Sequence, residues 1–167
     1  TVTDDHGCTI SDSITLTEPL DSLAYSFVVT DVLCKDGTDG AIDLTITGGT
    51  TPYNYAWSNG DTLANIVDLT AGWHIFQITD FNGCLLSDSI YVAEPDAVTL
   101  NEVITPVTCF GESDGIIDIS PIGGIAPYSF TWYNSTFALS AQTEDIVNFP
   151  ADIYQLEIID SNNCFYE

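Results

Sequence analysis

The chain has 167 residues, with 25 acidic side chains against a single basic one, Lys35, and a formal net charge of −24. Such a surface repels nucleic acid and anionic membranes, so no nucleic-acid partner is expected. Hydrophobic residues make up 45% of the chain, ample for packed cores and unlike a disordered acidic tail. No apolar run approaches the roughly 20 residues that cross a bilayer, so no membrane insertion is expected.

Period-two alternation runs through the sequence and helical periodicity is absent, which predicts an all-β chain. Residues 23–29 read as a first strand. Residues 41–47 follow, with Ile42, Leu44 and Ile46 on one face and Asp43, Thr45 and Thr47 on the other; Gly48-Gly49 ends this strand. Tyr53, Tyr55 and Trp57 alternate inward on a third strand, and Ser58-Asn59-Gly60-Asp61 is a turn of the Asn-Gly type. Asn65 to Leu69 is a short strand, His74, Phe76 and Ile78 form the apolar face of another, Asp80 to Gly83 turns, and residues 85–93 close the set.

The whole order then recurs. Cys34-Lys-Asp-Gly-Thr-Asp-Gly, Gly48-Gly49, Pro52-Tyr53 and Trp57-Ser-Asn59 return 75 residues later as Cys109-Phe-Gly-Glu-Ser-Asp-Gly, Gly123-Gly124, Pro127-Tyr128 and Trp132-Tyr-Asn134. A tail, Thr3-Asp-Asp-His-Gly-Cys8 with Ser11-Asp-Ser-Ile14 and Glu18-Pro19, matches Thr79 to Cys84, Ser87 to Ile90 and Glu94-Pro95. A period near 75 residues is too long for a solenoid unit and suits a small β domain. The expected organisation is therefore residues 1–20 as the C-terminal strand of a truncated preceding repeat, 21–95 as a complete unit, and 96–167 as a second unit whose last strand is cut at Glu167. The chain reads as a window on a longer protein. An inward tryptophan on the third strand and the corner Leu69-Thr-Ala-Gly-Trp-His74 resemble immunoglobulin-like β-sandwiches, so tandem Ig-like sandwich domains are the expected fold. Trp57 and Trp132 are expected at the buried centres, against Ile42/Leu44 and Ile117/Ile119. Unit two places Tyr154 where unit one has His74; the hydroxyl and the ring nitrogen can make similar bonds to nearby backbone. Pro121, in place of Ile46, must sit at a strand end, an edge or a bulge, since it has no N–H to donate.

The cysteines fall in register: Cys34 and Cys84 in unit one, Cys109 and Cys164 in unit two, Cys8 alone in the tail. Two per unit at fixed positions predict one disulfide per domain, Cys34–Cys84 and Cys109–Cys164, and an oxidising extracytoplasmic location. In a seven-strand sandwich those two loops lie at opposite ends. The pairing therefore requires a strand omitted between Trp57 and Asn65, or a first cysteine extended along a strand.

The ordered set Cys-x5-Gly, Gly-Gly-x2-Pro-Tyr-x3-Trp-x-Asn, Ala-Gly-x-aromatic and Thr-Asp-x2-Gly-Cys, seen twice with a third tail, resembles the SprB-type repeat of gliding-bacterium surface adhesins. The resemblance covers essentially the whole chain. Unit two departs from it at Asp152-Ile-Tyr154 and at Asn162-Asn-Cys164, both turn substitutions. It implies a large, secreted, filamentous cell-surface protein, exported by the type IX route, moved by a motor and gripping the substratum. The implied partners are neighbouring repeats of the same chain, substratum polysaccharide or surface through other regions, and the secretion and motility machinery.

Chemistry has little to stand on. His6 and His74 are the only histidines, and neither belongs to a nucleophile–base pattern, so no enzyme is expected. Asp36, Asp39 and Asp43, with Glu112, Asp114 and Asp118 in unit two, are candidate calcium ligands because hard cations need converging oxygens, although aspartates also favour turns and solvated strand faces. Ser13, Thr62 and Ser89, in Asp-Ser/Thr-aliphatic triplets, are candidate O-glycosylation sites; the plain alternative is an outer strand with Asp12 and Asp88 at a bulge. Asn134-Ser-Thr136 matches an N-glycosylation sequon without consequence in a bacterium. Trp73, Tyr133 and Phe137 are outward aromatics that can stack on sugars or pack on a neighbour. Two functions follow: a rigid, disulfide-stapled spacer in an adhesin, stiffened at the short joint Glu94-Pro95-Asp96, or an array of carbohydrate-binding modules. A binder repeats its aromatic in every unit, whereas Trp73 aligns with Ile153 and Tyr133 with Ser58, which favours the spacer.

Overall fold

The computed structural model describes residues 1–15 and 21–167. The Glu18-Pro19 match of the tail lies outside the described residues. Every regular element among them is a β-strand. The tail is a small hairpin, β1 (Val2–Thr3) paired with β2 (Thr9–Ile10).

Unit one has six strands: β3 (Ala24–Thr30), β4 (Gly40–Thr47), β5 (Asn54–Trp57), β6 (Asn65–Leu69), β7 (Gly72–Thr79) and β8 (Leu85–Val92). They form two antiparallel sheets, β3-β4-β6 and β5-β7-β8. Alternation decides which side of each strand is buried. On β4, Ile42 and Leu44 are buried while Asp43 and Thr45 are exposed; on β7, Phe76 and Ile78 are buried while Ile75 and Gln77 are exposed. The two inner faces share one core, in which Ile42, Leu44, Ile66 and Leu69 of the first sheet meet Trp57, Phe76, Ile78, Ile90 and Val92 of the second. Each such side chain contributes roughly 1.5–3 kcal/mol by leaving water. Trp57 lies tilted on Phe76 with ring centroids 5.4 Å apart. Its indole N–H donates to the Leu63 carbonyl at 2.8 Å, so the one polar edge of this buried side chain is satisfied.

Unit two repeats the plan: β9 (Thr99–Thr105), β10 (Gly115–Ile122), β11 (Ser129–Tyr133), β12 (Leu139–Ala141), β13 (Ile146–Phe149), β14 (Gln155–Ile159) and β15 (Phe165–Tyr166). The sheets are β13-β10-β9 and β12-β11-β14-β15. The extra strand β12 is built from the longer loop after Tyr133. Trp132 is buried with Ile119 and Ile146, and its indole donates to the Thr143 carbonyl at 3.0 Å. Pro121 pairs only toward β9, opposite Leu100, because β13 contacts β10 no further than Ile117. The missing N–H therefore faces an edge without a partner. The two corners match as well: the His74 ring nitrogen bonds the Thr70 carbonyl at 3.0 Å, and the Tyr154 hydroxyl donates to the Pro150 carbonyl at 3.0 Å.

Strand directions give each unit two poles. The chain enters unit one at a near pole, where Gly49 N–H donates to the Asp21 carbonyl and Thr50 N–H to Asp80. It leaves at a far pole, where Gly40 pairs with Leu69, Gly72 pairs with Val92, and Val32 N–H donates to the Ala93 carbonyl. The strands β5 and β6 both run toward the far pole, because β5 is antiparallel to β7, β6 is antiparallel to β4, and β4 and β7 both start there.

Candidate functional site: the joint between units

Two loop types meet at the joint. The first is the turn that ends with the later cysteine of each unit. Asp80 accepts the backbone N–H groups of Asn82 at 2.9 Å and Cys84 at 2.8 Å through one oxygen, and that of Thr50 at 2.9 Å through the other. Asp160 does the same with Asn162, Cys164 and Ile125. Asp4 binds the N–H groups of His6 and Cys8, each at 2.9 Å. The residue before the cysteine has positive φ in all three, +82° at Gly7, +83° at Gly83 and +62° at Asn163. This explains why the position takes glycine or asparagine. Asp80 and Asp160 are the only polar side chains among the buried core residues described. The N–H groups of the turn, Cys84 first, hold the Asp80 carboxyl below its usual range. Gly49, at φ +63°, lets the chain approach this carboxylate, since a Cβ there would sit 3.0 Å from its oxygen.

The second type is the loop carrying the earlier cysteine, between the first and second strands. Asp39 caps the Leu33 N–H at 3.1 Å and the Cys34 carbonyl accepts from Gly37 at 3.0 Å. In unit two Asp114 caps Thr108 at 3.0 Å, and Cys109 accepts from Glu112 at 3.2 Å. At the far pole of unit one this loop is fastened to the exit of the chain. Asp31 accepts the Ala93 N–H at 2.8 Å, Glu94 accepts the Asp36 N–H at 2.7 Å, and the Lys35 ammonium bonds Glu94 and Asp36. The Glu94 bond raises the Lys35 pKa, and the same bond holds the Glu94 carboxyl below its usual range.

The bridge itself corrects the expected pairing. Cys34 is bonded to Cys164 of the other unit, with Cα atoms 5.5 Å apart across 130 residues of sequence. Beside it the Asn162 side-chain amide donates to the Leu33 carbonyl at 2.9 Å, and Ile125 and Asn162 face Val32, Leu33, Ala93 and Pro95 across a shallow groove. Neither Cys34–Cys84 nor Cys109–Cys164 forms; Cys8, Cys84 and Cys109 are free and exposed. The reason is strand direction. Cys34 lies at the far pole and Cys84 at the near pole of the same unit. The eight-residue β8 between Cys84 and the far pole spans roughly 27 Å, whereas a disulfide needs Cα atoms within about 7 Å. A strand is indeed missing between Trp57 and Asn65, yet β6 continues in the direction of β5, so the omission does not bring the poles together.

The remaining candidates disperse. Asp36 pairs with Lys35, Asp39 and Asp114 cap their own loops, and Asp43 and Asp118 are exposed on β4 and β10. No group of three or more His, Cys, Asp or Glu side chains converges as a metal site among the described residues. Ser13 and Thr62 are exposed, while Ser89 is half-buried in β8. The β7–β8 register runs unbroken past Asp88, so no bulge forms there, and Asp88 instead accepts the Tyr25 hydroxyl. Trp73 is exposed and tilts on Tyr91, its cross-strand partner, at 5.2 Å. The Tyr133 hydroxyl lies 3.3 Å from Glu157, and Phe137 is exposed in a turn at φ +58°. A cleft of about 200 Å³ in unit two, lined by Ile104, Val107, Ile117, Ile146 and Phe149, opens beside Gly115. In unit one Val92 packs against the equivalent Gly40. The cleft is therefore an open stretch of the core. Sequence reading missed Asp80, Asp160 and the Lys35–Glu94 pair; only the recurrence of an aspartate four residues ahead of the cysteine marked the first two.

The geometry defines a repeat protein with a fastened joint, and the family comparison agrees. The SprB repeat family model matches residues 26–62 and 101–137, once in each unit. These segments are SprB repeats, the structural repeat of gliding-bacterium surface adhesin-type proteins, which occur at the cell surface. No curated protein matches the chain. No helix among the described residues is long and apolar enough to cross a membrane.

Proposed function

We propose that this chain is a spacer segment of a secreted, filamentous adhesin, and that its work is mechanical: it holds an adhesive region of the molecule away from the cell. The observation that carries this reading is the joint. Unit one receives the chain at one pole and releases it at the other. The joint combines a disulfide between units, a lysine–glutamate pair that fastens the Cys34 loop to the exit of unit one, and the stiff Glu94-Pro95-Asp96 segment. Outward positions differ between units while core residues, turns and cysteines recur. That suits a linear array whose outer face is free to vary. The acidic surface adds repulsion between neighbouring filaments at low salt. Extracellular placement, export by the type IX route and the motor belong to this proposal, and so do contacts with substratum polysaccharide through other regions. Small-angle scattering on chains with increasing repeat number tests it. A maximum dimension that grows nearly linearly with repeat number is expected. A compact particle would overturn the reading, as would polysaccharide binding by one pair of units at millimolar or tighter affinity.

A further inference from the structure

The Cys34–Cys164 bridge joins the early loop of one unit to the late turn of the next. Both halves of that bridge exist a second time. Cys84 sits in a turn with the same hydrogen bonds as Cys164: Asp80 N–H to the Cys84 carbonyl at 3.0 Å and Cys84 N–H to Asp80 at 2.8 Å, against 3.1 Å and 3.0 Å at Asp160 and Cys164. Cys109 sits in a loop with the same capping aspartate as Cys34, Asp114 in place of Asp39. Cys84 is at the near pole of unit one and Cys109 at the far pole of unit two, so they face away from each other. Both are exposed. The side-chain amide of Asn82, the counterpart of the Asn162 amide that crosses the joint to Leu33, donates to Thr50 of its own unit.

We propose that Cys84 and Cys109 are inter-repeat disulfide sites with one pairing rule. Each late-turn cysteine bonds the early-loop cysteine of the unit before it, and each early-loop cysteine bonds the late-turn cysteine of the unit after it. The partner is another unit of the same repeat. Cys8, whose turn matches Cys84, follows the late-turn rule. The chemistry balances as an oxidation: two thiols form one S–S bond and release two protons and two electrons. A disulfide oxidant takes up both as it becomes two thiols. In the extracytoplasmic space that oxidant is a thiol–disulfide oxidoreductase; in the test it is oxidised glutathione. The proposal rests on the tandem-repeat reading but not on the spacer role, which scattering tests separately.

The test is to oxidise the chain at high protein concentration in a glutathione buffer, block free thiols, and map linked peptides without reduction. Head-to-tail covalent oligomers are expected, joined from Cys109 to Cys84 or Cys8, with Cys34–Cys164 intact inside every copy. Cys109→Ser alone is expected to stay monomeric, as is Cys8→Ser/Cys84→Ser. Mixing the two is expected to give dimers and, because Cys109→Ser keeps both Cys8 and Cys84, trimers, and nothing longer. Abundant Cys109–Cys109 or Cys84–Cys84 links would overturn the rule, as would failure to form any oligomer.

Discussion

Glu94 accepts both the Lys35 ammonium and the Asp36 backbone N–H, the latter at 2.7 Å, so the only basic side chain of this chain is committed to the joint. The pair acts as a clasp on the loop that carries Cys34.

Acid should loosen that clasp. The Glu94 pKa is lowered in the folded state from its ordinary 4.5, first by Lys35 and then by the Asp36 N–H. A depressed carboxylate contributes stability that is present above the unfolded value and is lost as pH falls through the folded one. The expected outcome is a broader distribution of angles between units as pH falls below 4.5 and through the folded value, read by paramagnetic relaxation between labels on the two units. Lys35→Met should produce the same broadening at neutral pH with little change in melting temperature, since the pair is only half-buried and water still screens it.

Replacing either buried tryptophan should unfold its own unit first. Trp57 and Trp132 are 5% and 4% exposed, and Trp→Ala at such a site costs about 3–5 kcal/mol. Denaturant titration of each variant should show the transition of the altered unit move to lower denaturant. A loss under about 1 kcal/mol at either site would contradict the packing described.

Asp80 separates two functions of one carboxylate. Asp80→Asn keeps an oxygen for the Asn82 and Cys84 N–H groups but gives Thr50 no acceptor; Asp80→Ala removes all three bonds. The alanine variant should melt well below the asparagine variant, and both below the parent. The lowered Asp80 pKa adds stability that is present above its ordinary 3.8 and disappears as pH falls through the folded value. Thermal melts of the parent between neutral pH and about pH 3 should therefore converge toward those of Asp80→Asn.

Tyr154→Phe removes the hydroxyl that reaches the Pro150 carbonyl and leaves the ring on Phe149, 5.6 Å between centroids. The expected loss is about 1 kcal/mol, one ordinary hydrogen bond. Tyr154→His should recover part of it, because His74 makes the same contact in unit one.

Most strands were legible because each has one wet and one dry face, and alternation records that directly: Ile42 and Leu44 against Asp43 and Thr45, Phe76 against Gln77. Trp57 and the corner residues His74 and Tyr154 were legible from their parity. The disulfide was not. In a periodic chain, joining early to late cysteines within a unit or between units leaves the same residues at the same spacing. Only the direction of β5 and β6 distinguishes them, and direction is a property of pairing that no local pattern carries. The Lys35–Glu94 clasp was hidden for another reason: it occurs once, and Phe110 stands at the equivalent position of unit two. The burial of Asp80 and Asp160 was hidden because a turn aspartate reads alike whether it faces solvent or a neighbouring loop.

The bridge between Cys34 and Cys164 also decides how the molecule carries tension. Pulled by its ends, the oxidised chain transmits load through residues 1–34, across the sulfurs, and out through 164–167. Everything between is closed in a covalent loop and bears none of the force. Both sandwiches could lose their folds and the tether would still stop lengthening near 130 Å of extended chain, against roughly 570 Å once the bridge is reduced. An adhesin segment wired this way limits its own stretch covalently. Its reach under strain is set by redox state, and the strength of its domains does not enter.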